Sequence, residues 1–509
     1  MSRTANSVRN VKYAIIGQTV GLVITFIARR VFVDVLGSEY LGLSGLFTNI
    51  LSMLSLAELG LGSAITFTLY KYLAEGDQEK IKSYMLVFRK LYTIIAIVIL
   101  LTGLIISPFI KFFIGTEISV NNTELIFILF LLNTVFSYLL IYKRTLIIAD
   151  QKRYLATLYR YSFFFLMSVT QIFVLYATKN IYLFLTIQIL STILENIFIS
   201  LKADKLYPYI KCRVAENLDS DEKKNLRNNV GAMFSHKLGG VVVSGTDNLL
   251  ISKFVGIVTV GIYSNYILII TALNSFISII FQSVIPSIGN LNVTSNSENK
   301  IVVFNKLMFL GNWIITFSSI GFYFLVTPFI RMWLSSFYNL SIITVGLISI
   351  NFYLSGMRQP LLATRDAMGL FWKDRYKPII ESILNIIFSV ILGYFWGING
   401  IILGTIITNI TVCLSVEPFI IYKYGLNTSV LQYYKKYVQN IIILGLNVLI
   451  IMSLFSYFSN YSIFFSVLIV LLVPNIVYII IYWRSNEFKF YFKLLMNILK
   501  KTISRKGEV

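Results

Sequence analysis

Fourteen apolar runs follow one another almost end to end along this 509-residue chain. A helix needs about 20 mostly apolar residues to cross roughly 30 Å of hydrocarbon, and the runs meet that requirement at 11–33, 41–70, 84–113, 123–142, 155–177, 181–201, 231–252, 257–288, 304–329, 338–357, 378–396, 398–422, 437–457 and 461–483. Charged residues make up only 13% of the chain, against about 25% in a soluble protein. The expected fold is an all-α integral membrane protein with about 14 transmembrane helices.

Cations stay on the cytoplasmic side of a membrane. With these spans, 37 of the 44 Lys and Arg residues fall on one side, six on or near the other (Arg29, Arg30, Lys111, Lys179, Lys253 and Arg331), and Lys237 inside a span. The chain is therefore expected to be multi-pass with both termini cytoplasmic. The net charge of +21 is spread over short loops between apolar spans, which reads as topology signals and contact with anionic lipid, not as a nucleic-acid surface. Beyond Glu487, residues Phe488, Tyr491, Phe492 and Leu495 recur at helical spacing while Lys489, Lys493 and Lys500 gather on another face. That is the pattern of a helix lying on the membrane surface. The first apolar run is too long for a cleavable signal peptide. Cys212 and Cys413 are too few and too far apart for a metal site or a disulfide framework.

The chain repeats itself. At a constant offset of 219, residues 11–47 lie on 230–266 without a gap, matching Gly21 with Gly240, Gly37 with Gly256 and Gly42 with Gly261. The offset covers six helices, an even number, so both copies would enter the membrane in the same direction, as in transporters with a repeat axis normal to the membrane. In the first span Gly17, Gly21, Thr25 and Arg29 are four residues apart and share a stripe; in the seventh, His236, Gly240, Ser244 and Asp247 hold nearly the same positions. Small residues on such a stripe equally suit close helix packing.

Ionisable groups inside a span cost several kcal/mol unless they meet water or a partner, so Arg29 and Asp247 become candidates for lining a central cavity. Arg29 and Arg30 admit a second placement. They lie far enough beyond Lys12, about 26 Å along a helix, to snorkel to the outer surface. Lys237 divides the same way between cavity and headgroups. Glu58, beside Gly60, is either a proton or cation coupling site or an acidic cap at a broken helix; Asp247 either binds a coupling ion or pairs with Arg29. Glu195, Glu381 and Glu417 lie near span ends, where a solvated position is expected, and His236 reads as a packed or interfacial histidine.

These residues carry a family resemblance. Asn10-Val11-Lys12, the segment Val35-Leu36-Gly37-Ser38-Glu39-Tyr40-Leu41-Gly42-Leu43, the phrase Ala57-Glu58-Leu59-Gly60-Leu61-Gly62, and Ser244-Gly245-Thr246-Asp247-Asn248 resemble the polysaccharide branch of the multidrug/oligosaccharidyl-lipid/polysaccharide exporter superfamily. The likeness runs over nearly the whole chain and is to Wzx-type flippases. It implies two pseudo-symmetric six-helix lobes (1–201 and 231–422), a basic cytoplasmic linker (202–230), two extra helices (423–484) and a basic amphipathic tail (485–509). It also implies a bacterial plasma-membrane carrier for undecaprenyl-pyrophosphate-linked oligosaccharides in capsule, exopolysaccharide or O-antigen synthesis. Expected partners are that lipid-linked oligosaccharide, membrane lipids, the polysaccharide polymerase and the chain-length machinery.

In similar flippases cationic residues of the first helices line the cavity. By position this points to Arg29 and Arg30, with Lys237 from the other half and Thr25 and Ser244 beside them; Arg suits a pyrophosphate because its planar fork gives paired hydrogen bonds.

No P-loop, His-Glu-x-x-His, nucleophile elbow or Cys/His cluster stands in the chain, and every expected outside loop is short. Neither catalysis nor a cofactor is expected. Two other carriers fit the same frame: a cation-coupled multidrug exporter of the same superfamily, which for organic cations should have an acidic cavity, and a flippase for a peptidoglycan or teichuronic precursor.

Overall fold

A backbone in hydrocarbon must satisfy its own hydrogen bonds, and this chain does so with helices. The computed structural model describes residues 3–58, 61–114, 120–211, 218–220, 245–294, 297–370, 373–457 and 463–506. No strand occurs among them. Eight of the described helices are long and apolar enough to cross a membrane, nine if the bent pair Thr123–Tyr138 and Ile141–Ala149 counts as one span. The expected crossings at 11–33 and 41–70 sit in helices that the chain breaks, and residues 231–244 of the seventh expected span lie outside the described residues. The protein is a multi-pass membrane protein.

The breaks fall where the apolar runs stop. The first helix, Arg3–Leu54, has 52 residues and would be about 78 Å long if straight, far more than one crossing. Gly37 interrupts it with φ +86° and ψ −177°, a conformation closed to residues with a Cβ. Gly256, its counterpart at offset 219, has φ +120° and separates the helix over 245–254 from Ile257–Thr294. In Lys377–Thr408 the turn is at Trp396 and Gly397. There the chain folds back as a helical hairpin, closed by Asn385 Nδ2 donating to Thr405 Oγ1 (3.0 Å) and Ser389 Oγ donating to the Ile401 carbonyl (3.2 Å).

The chain forms two compact units, Met1–Ser264 and Asn265–Val509. In the first, Gly17 and Gly21 seat the ring of Tyr161 from helix Arg153–Thr178, so this part of the small-residue stripe packs helices. Leu140, at φ 67°, bends the fourth span by 44°. The bend frees carbonyls that Asn196 satisfies, its Nδ2 donating to the Phe136 oxygen at 2.9 Å. Below the bend, Lys143 pairs with Asp204 (2.8 Å) and Arg144 with Glu195.

In the second unit, helix Ser297–Trp333 packs against Ile342–Met357, Leu431–Tyr457 and Ile463–Tyr482. Phe304, Ile315, Tyr353, Met357, Tyr433 and Tyr437 belong to one buried core. The tail is a helix, Asn486–Lys506, with Phe488 buried and stacked on Trp313, and the Tyr491 hydroxyl donating to the Lys306 carbonyl (3.2 Å).

Candidate functional site

The two glycine turns bring the repeated segments together. A Cβ on Gly42 would stand 2.1 Å from the Ile257 carbonyl oxygen, and one on Gly261 would stand 2.6 Å from that of Ser38. Since 38 maps to 257 and 42 to 261 at the offset of 219, the contact maps onto itself, as at a two-fold axis. Only glycine lets two backbones approach so closely.

The same reciprocity holds along the helices towards Arg29. Its Nη1 lies 3.5 Å from Ser264 Oγ, and Ser264 in turn donates to the Gly261 carbonyl (2.7 Å). The offset carries Arg29 to Asn248 and Ser264 to Gly45, and Asn248 Nδ2 lies 3.9 Å from the place of a Gly45 Cβ. In Arg29's place the second copy thus has Asn248, whose Oδ1 is buried with no hydrogen-bond donor. Arg29 is half-buried and turned towards the Ser264 hydroxyl. Its guanidinium can offer several N–H groups to an anion.

The other expected residues take separate places. Arg30 is exposed, with Nε 3.6 Å from Asp34 Oδ2; adjacent helix residues point about 100° apart, so the two arginines cannot share a face. Thr25 Oγ1 donates to the Gly21 carbonyl of its own helix (2.7 Å). Asp247 is half-buried and near Tyr263. Glu58 ends the 3₁₀ turn Ser55–Glu58 just before helix Leu61–Glu75, a position that complements a helix N-terminus. There Tyr138 lies near Ser55 and Glu58, and the Glu58 carboxylate and the Tyr92 hydroxyl line the space a Gly62 side chain would fill. Lys237, Ser244 and His236 lie outside the described residues, as does most of the basic linker. Among the described residues no three His, Cys, Asp or Glu side chains gather as metal ligands would.

The solvated position expected for Glu195, Glu381 and Glu417 is corrected by the structure, which pairs all three with cations. Glu417 has a 2% exposed side chain and accepts from Arg358 Nη2 (2.8 Å) and Lys377 Nζ (2.6 Å). Glu381 binds the same two cations, at 3.3 and 2.7 Å, and accepts from Cys413 Sγ (3.1 Å). Asn409 Oδ1 takes a further Arg358 N–H (2.9 Å). Two single-turn π-helices, Asn409–Cys413 and Ile421–Gly425, flank the helix that carries Glu417. Reading Arg358 and Lys377 as loop cations hid this cluster; the one local clue was Glu381, four residues after Lys377 and so on the same helix face.

Residues 7–292 match the family described as polysaccharide biosynthesis protein, more than half of the chain. The chain belongs to that family. No curated protein sequence matches this family member significantly.

Among solved structures the fold is similar to the lipid II flippase MurJ in an inward closed conformation, at 15% identity and TM-score 0.70, over 93% of this chain and 98% of that one. A multidrug resistance MATE family transporter of the MOP superfamily, inward-facing, aligns at 15% identity and TM-score 0.63 over 80% and 94% of the two chains. The Vibrio cholerae MATE transporter VcmN in its bent form aligns at 14% and 0.55, over 84% and 99%. At such identities the likeness is one of fold.

Proposed function

We propose that this protein is a flippase that moves undecaprenyl-pyrophosphate-linked oligosaccharide repeat units across a bacterial plasma membrane by alternating access. The product would feed capsule, exopolysaccharide or O-antigen synthesis. Membership of a polysaccharide biosynthesis family supports the pathway class, and the one-sided cations support cytoplasmic termini. The observation that carries the reading is Arg29. It is a half-buried guanidinium inside the first span, facing Ser264 at a level where a cation without a polar task is costly.

A pyrophosphate headgroup must shed water to cross, while its isoprenoid tail can stay in lipid. Arg29 replaces part of the lost hydration with charge-assisted hydrogen bonds, and Lys237 and Ser244 would serve from the other half. Arg30, paired with Asp34 at the surface, would act at most as an outer station. Glu58 and Asp247 are the proposed coupling carboxylates.

The test is export in cells and flipping in proteoliposomes. Arg29→Ala should lower transport about a hundredfold, from the loss of one or two charge-assisted bonds, and Arg29→Lys should restore only part because it keeps charge without the fork. Arg30→Ala should stay within a few-fold of wild type. Normal transport in properly inserted Arg29→Ala would sink the proposal. Imposing proton or sodium gradients on wild type, Glu58→Gln and Asp247→Asn decides whether those groups couple.

A further inference from the structure

The second unit contains a cavity of about 110 Å³ that the flippase reading does not use. It opens where several helices end together. Asn305 stands near the start of Ser297–Trp333, and Tyr433, Lys436, Tyr437 and Asn440 occupy the first turns of Leu431–Tyr457. Tyr482 closes Ile463–Tyr482, and Glu487 lies in the first turn of the surface helix. Helix ends rich in Tyr and amide residues mark the headgroup level of a membrane.

The wall is largely aromatic, with polar side chains fixed in it. Asn440, 9% exposed, accepts from the Tyr482 hydroxyl (3.1 Å), and Asn312, 2% exposed, binds the Tyr478 hydroxyl and accepts from Thr316 Oγ1 (3.3 Å). Polar groups buried in a membrane protein need hydrogen-bond partners, and these find them in one another, which fixes the wall in place. At the mouth stand one cation and one anion. Lys436 Nζ donates to the neutral Asn305 amide oxygen (3.0 Å), and Glu487 lies close enough to Tyr482 to act on its hydroxyl.

We propose that this cavity binds the zwitterionic headgroup of a membrane phospholipid with a primary ammonium, a phosphoethanolamine head. Its phosphate meets Lys436 and the amide donors of Asn305 and Gln439. Its ammonium meets the Glu487 carboxylate, the Ser485 and Tyr482 hydroxyls and the tyrosine ring faces, which favour a cation. A phosphoglycerol head would set neutral hydroxyls against Glu487 in place of a cation, and would lose the charge-assisted bond there. A quaternary head has no N–H to donate. The acyl chains remain in the bilayer, and the bound lipid fixes the junction between the last two membrane helices and the tail.

Binding of short-chain phosphatidylethanolamine, phosphatidylglycerol and phosphatidylcholine, and of soluble phosphoethanolamine, to the detergent-purified full chain tests this by native mass spectrometry and thermal shift. Phosphatidylethanolamine should bind about tenfold more tightly than the other two lipids, the worth of one charge-assisted bond. Lys436→Met and Glu487→Gln should each weaken it by about the same factor. Both side chains sit at the cavity mouth, so lipid-free unfolding temperatures report whether the variants fold. Equal binding of phosphatidylglycerol would overturn the assignment. So would variants that keep full affinity, or soluble phosphoethanolamine binding as tightly as the lipid.

Discussion

Glu417 gives the sharpest test of how the second unit is held together. Its carboxylate accepts from Arg358 Nε at 3.1 Å to each oxygen, from Arg358 Nη2 at 2.8 Å and from Lys377 Nζ at 2.6 Å. With Glu381 the cluster holds two cations and two anions, so it is neutral. Glu417→Gln keeps the shape and removes one charge, leaving two buried cations against one carboxylate. Breaking a buried pair in this way costs about 3–5 kcal/mol, and four contacts on one carboxylate argue for about 4. An apparent unfolding temperature some ten degrees lower follows for a unit of this size.

The decisive comparison is the double variant Lys377→Met with Glu417→Gln. It removes one charge of each sign and leaves the Arg358–Glu381 pair neutral, so it should be more stable than Glu417→Gln alone, even though it carries an extra substitution. Thermal unfolding of purified protein, followed by intrinsic fluorescence, reads both. If Glu417→Gln melts with wild type, or if the double variant loses the sum of the two single losses, the cluster is solvated and the reasoning fails.

Two other outcomes follow from packing. Gly42→Ala and Gly261→Ala each push a methyl group roughly 1 Å or more inside ordinary contact with a backbone carbonyl; both should cut the yield of monodisperse protein severely and by similar factors, measured by size-exclusion chromatography. Phe488→Ala removes the ring stacked on Trp313 and loses about 3 kcal/mol of burial, so limited proteolysis should release the tail after Lys489 or Lys493 while the wild-type tail persists.

Much of the fold was legible because the length of an apolar run is itself a physical limit. Gly37 and Gly397 fall in the gaps between expected spans, and a glycine at the end of an apolar run is where a chain can reverse. The repeat was legible for the same reason, since glycines that touch backbone resist replacement. Side-chain direction was less so. Arg29 and Arg30 read as a pair because they are adjacent, yet helical rotation sends one to Ser264 and the other to Asp34. Glu417 was hidden because its partners are 59 and 40 residues away. The headgroup cavity draws its wall from separate helices, and no single stretch announces it.

A contact that maps onto itself is what a homodimer has at its axis. Had each half once been a separate copy of one gene product, every substitution at 42 would have been made twice and met itself across the seam. Joining the copies in one chain lets each side change alone. Arg29 and Asn248 have used that freedom, as have Gly45 and Ser264, whereas Gly37 with Gly256 and Gly42 with Gly261 have not. The retained glycines hold the two backbones against each other, and the altered pairs make the two sides of the seam chemically unlike.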